Sequence, residues 1–164
     1  MIPDFDENGN LPSGIHKPTI PEFRSRFIEN FDTSKTRKDI FNGYKSYCDD
    51  LLQLDVASTQ WVDGSFTTSK IDPNDIDIVT HLDAIKITSK QMLDKVGRLF
   101  QNRNQLKSKY NCDAYAIPIY PSNHLLYNET VKWLDYWQNC FGKDRSKKTK
   151  GIIEFKLNDG TFRF

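Results

Sequence analysis

Residues 61–80 constrain the fold more than any other stretch: Trp-Val-Asp-Gly-Ser-Phe-Thr-Thr-Ser-Lys-Ile-Asp-Pro-Asn-Asp-Ile-Asp-Ile-Val-Thr. An apolar strand runs into Gly64-Ser65, a short polar loop follows, and a second strand carries Asp75 and Asp77. Side chains alternate across a strand, so residues two apart share a face. Asp75 and Asp77 therefore point one way, while Ile76 and Ile78 point into a core. Two ionised carboxylates side by side repel, and one of them resists ionisation unless a cation lies between them. Magnesium suits such a pair, because it is hard, takes oxygen ligands and is commonly held by one or two carboxylates plus substrate phosphates. The Gly-Ser supplies the matching half. Glycine lets backbone approach a ligand closely, successive N–H groups can cradle an anion, and Ser65 adds a hydroxyl donor. Together these features point to metal-assisted phosphoryl or nucleotidyl transfer.

The remainder of the chain has room for one such core. Its 164 residues fit a single domain, residues 1–164, able to bury a core without staples. Residues 1–20, punctuated by Pro3, Gly9, Pro12, Gly14 and Pro18, read as an irregular arm. A short helix is expected from Pro21 to about Asn30, with proline in its first turn. A longer one fits Lys35 to Leu54, where Ile40, Tyr44, Tyr47, Cys48 and Leu51 repeat at helical spacing. Strands follow near 57–64 and 75–81. Thr88-Ser89-Lys90-Gln91 resembles a capping box that starts a helix with Met92, Val96, Leu99, Phe100 and Leu106 on one side. A third strand fits Asn111–Tyr120, stopped by Pro118 or Pro121. Asn128 is a candidate cap for a helix with Val131, Leu134, Trp137 and Phe141 inward, and Gly151–Leu157 reads as a last strand. This order predicts an α/β (α+β) fold, a small mixed twisted sheet packed against helices.

Composition narrows the partners. Lys and Arg number 23 against 22 Asp and Glu, a net charge of +1, so no global field draws the chain to nucleic acid or membrane. No apolar run approaches the roughly 18 residues of a membrane span. The opening Met-Ile-Pro-Asp-Phe-Asp-Glu is unlike a secretory signal. Cys48, Cys112 and Cys140, widely spaced and odd in number, read as buried thiols of a reducing, cytoplasmic compartment.

Gly64-Ser65, nine intervening residues, then Asp75-Ile76-Asp77-Ile78 resembles the signature of the DNA polymerase beta-like nucleotidyltransferase superfamily. The whole chain also resembles a group of small prokaryotic nucleotidyltransferase-like proteins. That likeness is carried by Phe5-Asp6-Glu7-Asn8-Gly9-Asn10-Leu11-Pro12-Ser13-Gly14-Ile15-His16 and by Lys150-Gly151-Ile152-Ile153-Glu154. The resemblance implies a twisted mixed sheet backed by helices, Mg2+ or Mn2+ as cofactor, and a third carboxylate on a neighbouring strand. Asp113 is the best-placed candidate for that third group, ahead of Asp83 and Glu154. It would touch one metal and take the proton of an attacking hydroxyl, although an aspartate at a strand start has a plainer meaning as a turn residue.

The expected catalytic and metal residues are thus Asp75, Asp77 and Asp113, with Gly64, Ser65, Thr67 and Lys70 on the nucleotide. Lys70 serves equally well as an exposed loop lysine. Asp63 is expected to be structural, bonded to the loop. The basic run 143–150 suits a solvated loop better than an RNA contact. Trp133, Tyr136 and Trp137 at helical spacing are more often core than a base-stacking platform. His16, His81 and His124 have no ligand spacing. Two functions follow as expectations. The first is transfer of NMP from a nucleoside triphosphate, ATP among them, to a hydroxyl on protein, RNA end or nucleotide, in a toxin–antitoxin or defence setting. The second is an inactive domain of the same fold that binds a nucleotide or partner. Oligomeric state is left open.

Overall fold

The structure, a computed structural model, describes residues 1–164. It is mixed α/β. The chain begins with a three-residue strand, β1 (Gly14–His16), and a short helix, α1 (Ile20–Arg24), that runs on into a π-type turn at Ser25–Glu29. Thr19 starts α1: its hydroxyl accepts from the Glu22 N–H while the Glu22 carboxylate accepts from the Thr19 N–H, and Pro21 occupies the first turn. Then come α2 (Arg37–Leu52), β2 (Ala57–Asp63), a 3-10 turn at Ser65–Thr67 and β3 (Ile76–Asp83). The chain continues through α3 (Lys90–Phe100), α4 (Arg103–Tyr110), β4 (Cys112–Ile119), α5 (Tyr127–Phe141) and β5 (Gly151–Lys156).

The five strands lie in the order β1-β5-β2-β3-β4. β1 runs parallel to β5, β5 and β3 run antiparallel to β2, and β4 runs parallel to β3 at the far edge. The parallel β3–β4 pair requires a crossover, which α3 and α4 supply. Period-two alternation divides the residues between the two sheet faces. Val62, Ile76, Ile78, Ala114, Ile153 and Phe155 enter the main core, shared with Phe23, Phe27, Ile40, Tyr44, Tyr47 and Leu51 of the helical layer. Gln60 and Thr80 lie on that buried face and are satisfied by the Tyr44 and Tyr47 hydroxyls at 2.8 and 3.1 Å. Trp61, Val79, Ile117 and Ile152 face the other way and pack with Phe141, Leu134 and Trp137 of α5.

Several boundaries differ from the sequence reading. The expected N-terminal arm contains β1, which extends the sheet. The second half of the expected helix at 21–30 is a π-type turn. The helix begun at Ser89 ends at Phe100, because the Asn102 side chain caps a new helix by accepting from the Gln105 N–H at 3.1 Å. Pro118 lies inside β4 rather than ending it, which an edge strand permits. Asn128 is no cap: α5 starts one residue earlier, after Leu126, without a side-chain cap. Cys48 and Cys112 are buried, but Cys140 is exposed. Trp133 and Tyr136 are exposed too, and only Trp137 of that trio packs inward. No helix is long and apolar enough to cross a membrane.

Candidate functional site

Register brings carboxylates together at one end of the face that α5 partly covers. Asp63 of β2 is the register partner of Asp77 on β3, and Asp77 is the partner of Asp113 on β4. Three adjacent strands thus present one row of aspartates, and Asp75 lies two residues before Asp77, just ahead of β3. Like charges directly opposite each other destabilise a sheet, so the row needs cations. Three are present. Lys150, immediately before β5, is buried and reaches Asp63 at 2.8 Å. Lys107 of α4 meets Asp75 at 2.5 Å. Arg103, one turn earlier on α4, grips both oxygens of Asp113, Nη2 lying 2.7 Å from each. Asp77 alone has neither hydrogen bond nor salt bridge.

That imbalance appears in the proton affinities. Burial, with the neighbouring Asp75 and Asp113 charges, pushes the Asp77 carboxyl up to about 6; Lys150 and Lys107 only partly oppose this. Burial also raises Asp63, to about 7, against the pull of Lys150 and the Gly64 N–H.

Above the row, the chain turns at Gly64 with φ +83°, a region L side chains avoid. A Cβ there would come 2.8 Å from the Asp77 Cγ and closer still to its Oδ2. The glycine therefore admits the Asp77 carboxylate against the turn. Ser65 opens the 3-10 turn, and its hydroxyl makes no hydrogen bond within the chain. Thr67 is buried; its hydroxyl donates to Asp63 and to the Gly64 carbonyl, both at 3.3 Å, so it holds the turn rather than facing a ligand. The Lys70 side chain is exposed and free, while its carbonyl accepts from Arg37 at 2.6 Å.

Arg37 organises this loop from below. It is fully buried and donates to the carbonyls of Phe27, Phe66, Thr68, Lys70 and Ile71. Its guanidinium also lies 3.8 Å over the Phe31 ring.

The structure therefore gathers Asp75, Asp77 and Asp113 beside the Gly64-Ser65 turn. Asp83 lies at the other end of β3, and Glu154 is engaged with Trp61 and Lys17. Sequence reading placed Lys150 in a solvated loop and passed over Arg103, Lys107 and Arg37. The i, i+4 spacing of Arg103 and Lys107 was the one available signal, and it equally describes an exposed helix face. The largest cavity, about 740 Å3 and lined by residues including Lys38, Phe41 and Phe164, shares no residue with this cluster.

A family model described as a family of unknown function, DUF6932, matches residues 3–156. The chain belongs to the DUF6932 family. The matched span contains all five strands and every charged residue of the cluster, so the site is built wholly within the DUF6932 fold. No curated protein and no solved structure matches the chain.

The donors suit a hard cation: four carboxylates, and no thiol or imidazole among them. Asp77 is a half-buried carboxylate without a counter-ion, flanked by two others. No three His, Cys, Asp or Glu side chains form a ready ligand set, and Lys107 and Arg103 hold Asp75 and Asp113. A metal would use Asp77 with Asp75 and Asp113 once those cations let go.

Proposed function

We propose that this protein is a divalent-metal-dependent nucleotidyltransferase. The observation that carries the reading is Asp77, uncompensated between Asp75 and Asp113 and directly under the Gly64-Ser65 turn. Asp75, Asp77 and Asp113 would hold Mg2+ or Mn2+, which when bound supplies charge neutralisation for a triphosphate. The Ser65 hydroxyl and the free Lys70 ammonium are the donors on the loop side. In the transfer, an acceptor oxygen bonds to the α-phosphorus, the bond to the β-phosphate oxygen breaks, and pyrophosphate leaves. The acceptor's proton passes to Asp113, released from Arg103. The acceptor class is a hydroxyl of protein, RNA end or nucleotide.

A second reading has its own support. Two of the three carboxylates already have cations, as suits a domain of this fold that binds a nucleotide or partner without turnover.

The test combines thermal melts with product assays. Purified protein is heated with and without each NTP and Mg2+ or Mn2+, and labelled NTPs are incubated with it and cell lysate. A ligand-dependent rise in Tm with label transfer and pyrophosphate release is expected. A Tm rise with no release favours the second reading. The Asp75→Asn/Asp77→Asn double variant should melt close to wild type without metal, because relief of the repulsion around Asp77 offsets loss of the half-exposed Asp75–Lys107 pair, and should lose the Mg-NTP shift. A retained shift would place the site elsewhere.

A further inference from the structure

A groove of about 510 Å3 runs along β4, the unpaired edge of the sheet, between the α3–α4 layer and α5. Its walls include Phe100, Arg103, Tyr115, Pro118, Trp133 and Trp137. It shares Arg103 with the carboxylate row. Tyr115 follows Asp113 by two residues on the same face of β4, roughly 6.6 Å along the strand. Arg103 joins the two: its guanidinium holds Asp113 and lies 4.3 Å over the Tyr115 ring. Trp137 packs against Tyr115 at 4.5 Å, whereas Trp133 stays 42% exposed at the groove wall.

An edge strand between two helices also suggests an added peptide strand. Pro118 argues against that, because it has no N–H and interrupts the free edge. What the walls offer instead is π surface and one guanidinium plane, which favour a flat, electron-rich ring. The volume lies within the range of small-ligand sites.

We propose that this groove is a base-stacking subsite. It takes the nucleobase of a nucleotide whose phosphates lie at Asp75, Asp77 and Asp113, with Trp133 as the stacking face and Tyr115–Arg103 as the floor. The inference rests on the nucleotidyltransferase reading, and the base belongs either to the donor triphosphate or to a nucleotide acceptor.

Calorimetric titration separates these cases with three probes in Mg2+ buffer: ATP, inorganic tripolyphosphate, and adenosine added over saturating tripolyphosphate. For a donor base, wild type binds ATP more tightly than tripolyphosphate by roughly 5- to 150-fold, the range of a base stacked on an aromatic side chain. Trp133→Ala loses that margin and keeps its tripolyphosphate affinity, and Trp133→Phe restores most of it. For an acceptor base, ATP and tripolyphosphate bind alike, and adenosine binding depends on Trp133. Trp133 is exposed, so melting curves of both variants should overlay wild type. Tripolyphosphate binding with no Trp133 dependence for ATP or adenosine overturns the subsite and leaves the carboxylate reading intact. Trp133-dependent ATP binding without tripolyphosphate binding overturns the carboxylate reading and keeps the groove. Binding of none of the probes overturns both.

Discussion

Arg37 is the residue whose loss should best expose how the motif loop is held. Five backbone carbonyls converge on its guanidinium, from Phe27 and from Phe66, Thr68, Lys70 and Ile71, at 2.6 to 3.2 Å. No carboxylate contacts it. Burial lowers its pKa to about 10, with Asp72 opposing, so the group stays charged at neutral pH. Arg37→Met keeps length and removes every donor. Five hydrogen bonds to a charged group, at about 1.5–3 kcal/mol each, would sum to about as much as a domain's whole stability. Three of the five carbonyls, those of Thr68, Lys70 and Ile71, belong to the less buried part of the loop, which can swing toward water. The expected net loss is therefore about 3–5 kcal/mol, as for breaking other buried charged networks. Arg37→Lys keeps the charge but lacks the planar fork, and should lose about 2–4 kcal/mol. Urea unfolding reads this as a lower midpoint at unchanged slope. Hydrogen exchange should show Phe66–Ile71 opening before the sheet. A loss under about 1 kcal/mol for Arg37→Met, or wild-type stability for Arg37→Lys, would refute the carbonyl hub.

Two further outcomes are specific. Gly64→Ala combines a disfavoured positive φ with a clash against Asp77, and should cost at least about 2 kcal/mol. In an Asp77→Ala background the same change should cost about 1 kcal/mol less, and additive losses in the double-mutant cycle would remove the contact from the explanation. Burial lowers the His81 pKa from 6.5 to about 4, with Glu154 opposing and Lys156 adding to the shift. The unfolded chain therefore takes up this proton first as pH falls through 6.5, and stability is withdrawn down to about pH 4, at most about 3 kcal/mol for the 2.5-unit gap. Asp63 and Asp77, raised by burial, act in the opposite sense over the same range. The measurement is thus the difference between wild type and His81→Gln, which should move in the variant's favour between pH 7 and 4. Parallel pH curves would contradict a buried neutral imidazole.

The parts of the site legible in the sequence are those set by local alternation. Ile76 and Ile78 enter the core, and that fixes Asp77 on the opposite face without any tertiary knowledge. Asp113 was reachable because its strand follows a helical crossover and parallel pairing brings strand starts together. What was not legible depends on partners distant in sequence. β1 is three residues from a Gly- and Pro-rich stretch and becomes a strand only by pairing Gly14 with Gly151. Lys150 ends a run of hydrophilic residues, and only the fold sets it apart by burying it against Asp63. Arg37 reads as one more polar residue at a helix start. Trp133 and Trp137 have the same helical periodicity, and the edge position of β4 leaves one of them exposed.

The charge arrangement then divides the cluster into a fixed part and a releasable part. Asp63 and Lys150 have side chains only 5% and 7% exposed; removing either partner would strand a buried charge, so the pair stays whatever binds nearby. Lys107 and Arg103 are about half exposed, so water screens both pairs far more than it screens Asp63–Lys150, although Asp75 and Asp113 are only 17% and 19% exposed and the Arg103 grip is bidentate. Both project from the first two turns of α4; Lys107 can turn to water, and Arg103 can release Asp113 while staying over the Tyr115 ring. A divalent ion at Asp77 would therefore have to displace these two solvent-facing cations, and not the buried Asp63–Lys150 pair, to gain Asp75 and Asp113 as well. The carboxylate that sets this balance is the one that Gly64 leaves room for, so the glycine of the motif and its second aspartate act as a single steric unit.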